Sequence, residues 1–172
     1  MAGSVVLNPL SRFYSDVKQI VASTFHNELF AADAEALLAN SNNYLSRSTI
    51  LNRNAAALAD YLTNQAAETD SPIRQILYPT TSDTRENYEA FMRKATPEFT
   101  PGYGCLLAVE FRDLTAAQAF YDNLQLHCGP HLGAHLTLAL PFNALANGKT
   151  PEEAEYHASV SHDEESLSTW AI

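Results

Sequence analysis

The chain has 172 residues, of which 46% are hydrophobic and 17% charged. At this length about 70% of the unfolded chain's surface can be buried on folding, so a core needs neither metal nor disulfide. Twenty Asp and Glu against ten Lys and Arg give a net charge of −10, the wrong sign for a nucleic-acid groove or an anionic membrane face. Six of those carboxylates (Glu152, Glu153, Glu155, Asp163, Glu164, Glu165) lie in residues 150–172, which hold no Lys or Arg, and the first 149 residues carry only −4. Cys105 and Cys128 show no disulfide framework and no CxxC spacing. With no signal-peptide pattern at Met1 and no apolar run near 18 residues, a cytoplasmic location is expected.

In chain order, Gly3–Asn8 is β-rich and closed by Pro9, which predicts a buried strand. Ser11 is placed to cap a helix with Val17, Ile20, Val21 and Phe25 on one face, and a short helix follows over Ala32–Ala39. From Asn43 to about Ala67, Tyr44, Ser48, Leu51, Ala55, Leu58 and Leu62 recur at alternating spacings of four and three, one continuous helical stripe. Ile73–Tyr78 reads as a strand, Asp83 as the cap of a helix reaching Lys94, and Tyr103–Phe111 as a strand apolar on both parities. A helix over Thr115–Leu124, strands at Leu126–Cys128 and His135–Leu140, and a helix at Glu152–Ser159 complete the pattern, which dissolves past Ser159. This order of strands and helices predicts an α/β (α+β) fold. Residues 1–70 are expected to hold the orphan strand and a helical connector with the long helix at about 43–67, residues 71–159 an α/β small domain, and residues 160–172 an acidic tail.

The residues assemble no catalytic constellation unaided. His127, His131 and His135 are spaced by four, but Gly129, Pro130 and Gly133 oppose the helix that would gather them, and on an extended chain they lie too far apart for one ion. No GxGxxG, Walker A or GxSxG pattern occurs. Gly102 and Gly104 are read as relieving crowding at the mouth of a buried strand. Cys105 is placed within that strand, where a thiol is inert. His26-Asn27-Glu28 reads either as a capping cluster or as part of a site wall.

Six segments carry a resemblance: GSVVLNP (3–9), HNELFAADAEALL (26–38), YLSRSTILNRNAAALADYL (44–62), ILYPTTSDTRENYEAFMR (76–93), GYGCLLAVEF (102–111) and GPHLGAHLTLALPF (129–142). Together they resemble the C-terminal part of cystathionine γ-synthases, most closely the fungal branch of this pyridoxal-phosphate trans-sulfuration family. The likeness runs from about Gly3 to Ser159. It implies the C-terminal small domain and long connecting helix of the aspartate-aminotransferase-like (fold type I) architecture, and homo-oligomers that build the active site at their interface. It also implies γ-replacement: an O-acylated homoserine loses its acyl group and cysteine adds, with pyridoxal phosphate as electron sink.

The family's Schiff-base lysine sits in a Ser-x-Thr-Lys motif before the GSVVLNP strand, and Lys18, Lys94 and Lys149 have no such context. An arginine that pairs with the substrate carboxylate follows the family's last helix; here no Arg or Lys follows Lys149. The expectation is a truncated chain without catalytic or cofactor-binding residues of its own, inactive alone. The loop His131-Leu132-Gly133 matches a Ser-Leu-Gly motif that lines the family's substrate pocket, which makes His131 and Gly133 the candidate substrate-binding residues by resemblance, with a plain tight turn as the alternative. Two other readings stand beside inactivity: a non-catalytic subunit that binds a full-length paralogue, or one half of a split enzyme for γ-substitution in specialised metabolism.

Overall fold

The computed structural model describes residues 4–26, 29–129, 131, 136–142, 150, 152 and 169–171. Contacts divide the chain into two bodies, Met1–Tyr44 and Leu45–Ile172. The first contains α1 (Tyr14–Thr24) and α2 (Ala31–Ser41). Neither helix has a side-chain cap; Ser11 Oγ accepts the Phe13 N–H at 3.3 Å, one turn ahead of the helix it was expected to cap. None of the described residues of this body is buried. Residues 4–8 belong to no strand, against the expectation for Gly3–Asn8. An apolar β-branched run supplies side chains for a strand but not the ladder partner that makes one, and among the described residues no strand pairs with it.

The second body is built on α3 (Tyr44–Ala66), close to the predicted 43–67. Its buried positions are Ala55, Ala59 and Leu62, one stripe at four-three spacing. Ala55 and Leu62 belong to the expected stripe and Leu58 of it packs partly covered against the core, while Leu51 is exposed and Ala59, outside the stripe, is buried. Against it lies a three-stranded sheet in the order β1 (Ile73–Leu77), β2 (Ala108–Phe111), β5 (Thr169–Ala171), with β2 antiparallel to both neighbours. Strand β5 falls in the stretch expected to be an unstructured acidic tail; three residues are too few for any alternation to show.

The pairing of β1 with β2 is irregular between Ile73 and Gln75. Residues three apart on a regular strand face opposite ways, yet Ile73 opposes Phe111 and Ile76 opposes Val109, and both are buried. The extra residue at Arg74 resets the parity so that both isoleucines meet the same core. That core also takes Tyr78, Leu107 and Ala117 of α5 (Leu114–Asn123), with the Phe111 and Phe120 ring centroids 4.9 Å apart. Asp113 caps α5, accepting the Ala116 N–H at 2.8 Å. On the other parity of β2, Glu110 is 8% exposed, held by Arg74 at 3.1 Å and by a hydrogen bond from the Gln75 amide.

Other elements are shorter than predicted. α4 spans only Arg85–Ala90 and is not capped by Asp83, since its first residue follows a Ser82–Thr84 turn. β3 (His127–Cys128) and β4 (Leu138–Ala139) form a separate parallel pair. The predicted helix Glu152–Ser159 lies almost wholly outside the described residues.

Phe111, fully buried, and Phe91, 91% exposed, separate the core from the surface. Phe111→Ala is expected to cost about 3–5 kcal/mol by cavity formation and Phe91→Ser less than about 0.5 kcal/mol, in urea unfolding of the 172-residue chain. Equal losses would mean that the sheet does not organise the core.

Candidate functional site

The densest arrangement of functional side chains clasps the segment after α4 to the rest of the second body. Arg85 and Glu89 stand one turn apart on α4 and pair at 2.7 Å. Between them sits the Tyr103 hydroxyl, which accepts from Arg85 Nη2 at 3.1 Å and donates to Glu89 Oε1 at 2.6 Å. The Tyr88 hydroxyl donates to the Gly102 carbonyl at 3.4 Å, and the Tyr78 hydroxyl to the Gly104 carbonyl at 2.9 Å. The Gly104 N–H donates to Asn52 Oδ1 on α3 at 3.1 Å. The Tyr78 and Tyr88 rings flank Tyr103 at 6.2 and 5.4 Å between centroids.

Both glycines are required by this geometry. A Cβ on Gly102 would stand 2.6 Å from the Asn52 side chain, and Gly104 has φ +89°, where a side chain is strained.

The hydrogen bond from Tyr103, then the one from Arg85, holds the Glu89 carboxyl below its ordinary value. The same bond to Glu89 raises the Tyr103 phenol, while burial raises Tyr78. Tyr121 is raised by its hydrogen bond with Cys128 and by burial.

Among the described residues of this body, two of the open cavities stand out by their lining. One of about 440 Å³ runs beside α4 between Tyr88, Phe91, Met92 and Phe99, with the Arg93 guanidinium 5.0 Å from the Phe99 ring centroid. The other, about 540 Å³, lies at the end of α3 between Tyr61, Gln65, Glu68, Asp70 and Phe120. Neither is lined by a lysine or a histidine. Lys18 is exposed on α1 with its ammonium 5.5 Å from the Tyr14 ring centroid, Lys94 is exposed beyond α4, and Lys149 lies outside the described residues. A Schiff-base cofactor needs a lysine inside a pocket, and neither of these two cavities presents one.

His131 is exposed and lines neither cavity, and Gly133 lies outside the described residues. His127 is exposed at β3 and His135 lies outside the described residues; among those described, no group of His, Cys, Asp or Glu is placed to hold a metal ion. Cys105 is exposed on a bend ahead of β2 rather than inside a strand, because the ladder begins only at Ala108. His26 is exposed; Asn27 and Glu28 lie outside the described residues. Sequence reasoning missed the clasp. Its signal was Gly102-Tyr103-Gly104, where two glycines bracket an aromatic residue, together with Tyr88 and an Arg-Glu pair at i,i+4.

No family model matches the chain. It is 32% identical over 162 residues to the cystathionine gamma-synthase-like protein ankD of Aspergillus thermomutatus, covering 94% of this chain and 27% of that protein. It is 35% identical over 165 residues to the cystathionine gamma-synthase-like enzyme iboG2 of Amanita muscaria, covering 90% and 26%. The chain is homologous to a segment of the cystathionine γ-synthases. It spans about a quarter of the length of these relatives. The fold agrees with that family: a cystathionine gamma synthase from Xanthomonas oryzae superposes with a TM-score of 0.52 at 19% identity, over 73% of this chain and 29% of that one. A putative O-acetylhomoserine (thiol)-lyase from Campylobacter jejuni, solved with a pyridoxyl-lysine monophosphate, gives 0.54 at 17% identity over 74% and 26%.

The clasp has a pH window with two edges. Folding lowers the Glu89 value from 4.5, so its contribution is complete above that pH and is lost as pH falls through the lowered folded value. Folding raises Tyr103 from 10.0, so its contribution is present below 10.0 and lost as pH climbs past the raised folded value. The stability gap between the unmodified chain and Tyr103→Phe is expected to be flat from about pH 5 to about pH 9 and to narrow outside it. A gap that ignores pH at both ends would remove Glu89 from the clasp. Gly102→Ala is expected to cost about 1–3 kcal/mol, less in an Asn52→Ala background, as read by a denaturation double-mutant cycle.

Proposed function

We propose that these 172 residues form the C-terminal portion of a pyridoxal-phosphate-dependent γ-replacement fold acting on O-acylated homoserine, and that they do not carry the reaction alone. The observation that supports this reading is that neither of the two cavities described above is lined by a lysine. A fold of this family supplies three things to its chemistry: a lysine to hold the cofactor, a cradle for its phosphate, and a cation for the substrate. Here the part with side chains in place is the scaffold. His131 and Gly133 are the residues we assign to the wall of the substrate pocket, a role that requires the rest of the fold to face them.

One observation favours a second reading, in which the chain is a non-catalytic subunit that docks on a longer paralogue. In the first body Val5, Val6, Leu10, Phe13, Ile20 and Phe30 are all exposed, and no described residue there is buried. An apolar surface of that kind seeks cover.

Pyridoxal phosphate added to the purified 172-residue chain is expected to give no visible Schiff-base absorbance and no borohydride-trapped adduct beyond the level of exposed Lys18 and Lys94, tested by Lys→Ala variants. A stoichiometric adduct on one lysine would overturn the first reading. Co-expression with a longer cystathionine γ-synthase from the same source decides the second: a mixed complex supports it, and separate elution defeats it.

A further inference from the structure

The cavity of about 440 Å³ beside α4 touches the clasp only at one wall, where the Tyr88 hydroxyl is committed to the Gly102 carbonyl. Its other walls are largely apolar and aromatic: the Phe91 and Phe99 rings with the Met92 side chain. Phe91 is 91% exposed, a ring left in water that gains free energy from any apolar cover. The polar side chains free to meet a ligand are Arg93 and Asn87. In a chain with twenty Asp and Glu against ten Lys and Arg, this cavity is lined by one cation and no carboxylate. Glu89 of α4 is taken by Arg85 and Tyr103.

The Arg93 guanidinium lies over the Phe99 ring, 5.0 Å from its centroid. That contact holds the cation at the cavity by its charge but offers no lone pair to its N–H donors. Among the described residues no carboxylate pairs with it. A cation so placed, beside exposed rings, is matched by a ligand that brings its own carboxylate and a flat apolar body. We propose that this cavity binds a small aromatic carboxylate, its ring against the Phe91 and Phe99 walls and its carboxylate on Arg93. The volume falls within the roughly 300–1,000 Å³ of small-molecule sites, in which apolar walls supply affinity and a few polar groups fix orientation. A neutral ring of the same shape gains the walls alone, and an aromatic ammonium meets a like charge, so the site selects by charge.

Equilibrium dialysis of the 172-residue chain against 2-naphthoate, 2-naphthamide and 2-naphthylmethylammonium tests this. One equivalent of naphthoate is expected to bind saturably, with the amide about tenfold weaker, the order of one charge-assisted hydrogen-bonded contact, and the ammonium weaker still. Arg93→Gln is expected to bring naphthoate down to the level of the amide and to leave the amide unchanged. Arg93 is exposed, so its urea midpoint is expected to hold. Phe91→Ser, at a position that bears little on stability, is expected to weaken naphthoate and amide by the same factor. Absence of saturable naphthoate binding overturns the site, and equal affinity for naphthoate and amide overturns the selection by charge. A preference for naphthoate that survives Arg93→Gln, or an affinity unmoved by Phe91→Ser, places the ligand elsewhere on the chain and overturns the assignment to this cavity.

Discussion

Val109 and Phe111 have no exposed surface, and Glu110, between them on the other parity of the same four-residue strand, is only 8% exposed. β2 must therefore be covered on both faces and paired on both edges, and the second body can be understood as the set of pieces that meet this demand. α3 and α5 bring Ala55, Ala59, Leu62 and Ala117 to the apolar face. Small residues on α3 let the helix backbone approach the sheet closely while Leu62 and the two isoleucines of β1 fill the remaining volume. The bulge at Arg74 serves the same end, since without it one of those isoleucines would turn to solvent. The polar face needs a different solution. A buried carboxylate is tolerated only when paired and hydrogen-bonded, and Arg74 and Gln75, adjacent on β1, supply the ion pair and the hydrogen bond to Glu110.

The clasp extends the same demand to the segment that leads into β2. Between α4 and Ala108 the chain has no regular structure beyond the isolated bridge of Thr96 with Phe99, so side chains must define its path. Tyr78, Tyr88 and Asn52 each hold a backbone group of Gly102 or Gly104, and Tyr103 is fixed by charge at its hydroxyl and by rings at its faces. The donors and acceptors come from α3, the end of β1 and α4, so the segment ties three elements together just before it delivers Leu107 to the core. Exposed ion pairs are weak taken singly. Here the Arg85–Glu89 pair gains from a shared third partner, and the two groups that titrate move in opposite directions because a single hydrogen bond stabilises the carboxylate and the protonated phenol together.

What could be read from residues alone follows the length of each signal. α3 was legible because 23 residues carry several turns of periodicity; its ends came within one residue, and Ala55 and Leu62 of the expected stripe are buried, while Ala59, a small residue the stripe passed over, is buried and Leu51 is exposed. β1 was legible from a short apolar run between prolines. β2 was legible as a strand but drawn too long: Leu106 and Cys105 are apolar in composition and exposed in fact, since burial depends on where the ladder partner ends. β5 carries too little sequence to announce itself. The family was legible from six ordered segments, because homology sums over the whole chain what no single motif holds. The clasp was not legible, for its partners are up to 52 residues apart and only folding brings them together. His131 and Gly133 entered by resemblance alone, and nothing in the geometry of the described residues gathers polar groups around His131.

The first body raises the physical question that the second does not. Its two helices have eleven residues each, a length at which an isolated helix is marginal in water even with good propensity. Neither is capped by a side chain, and Phe13, Val17 and Ile20 stand in an exposed row along α1 at helical spacing. Local interactions there include backbone hydrogen bonds, the Ser23 and Thr24 hydroxyls donating to the Ile20 carbonyl, and Arg12 over the Phe13 ring. Helical order in such a segment comes from burying its apolar row against another surface. The two proposed readings differ only in the source of that surface: further residues of the same γ-replacement fold in one, a longer paralogue in the other.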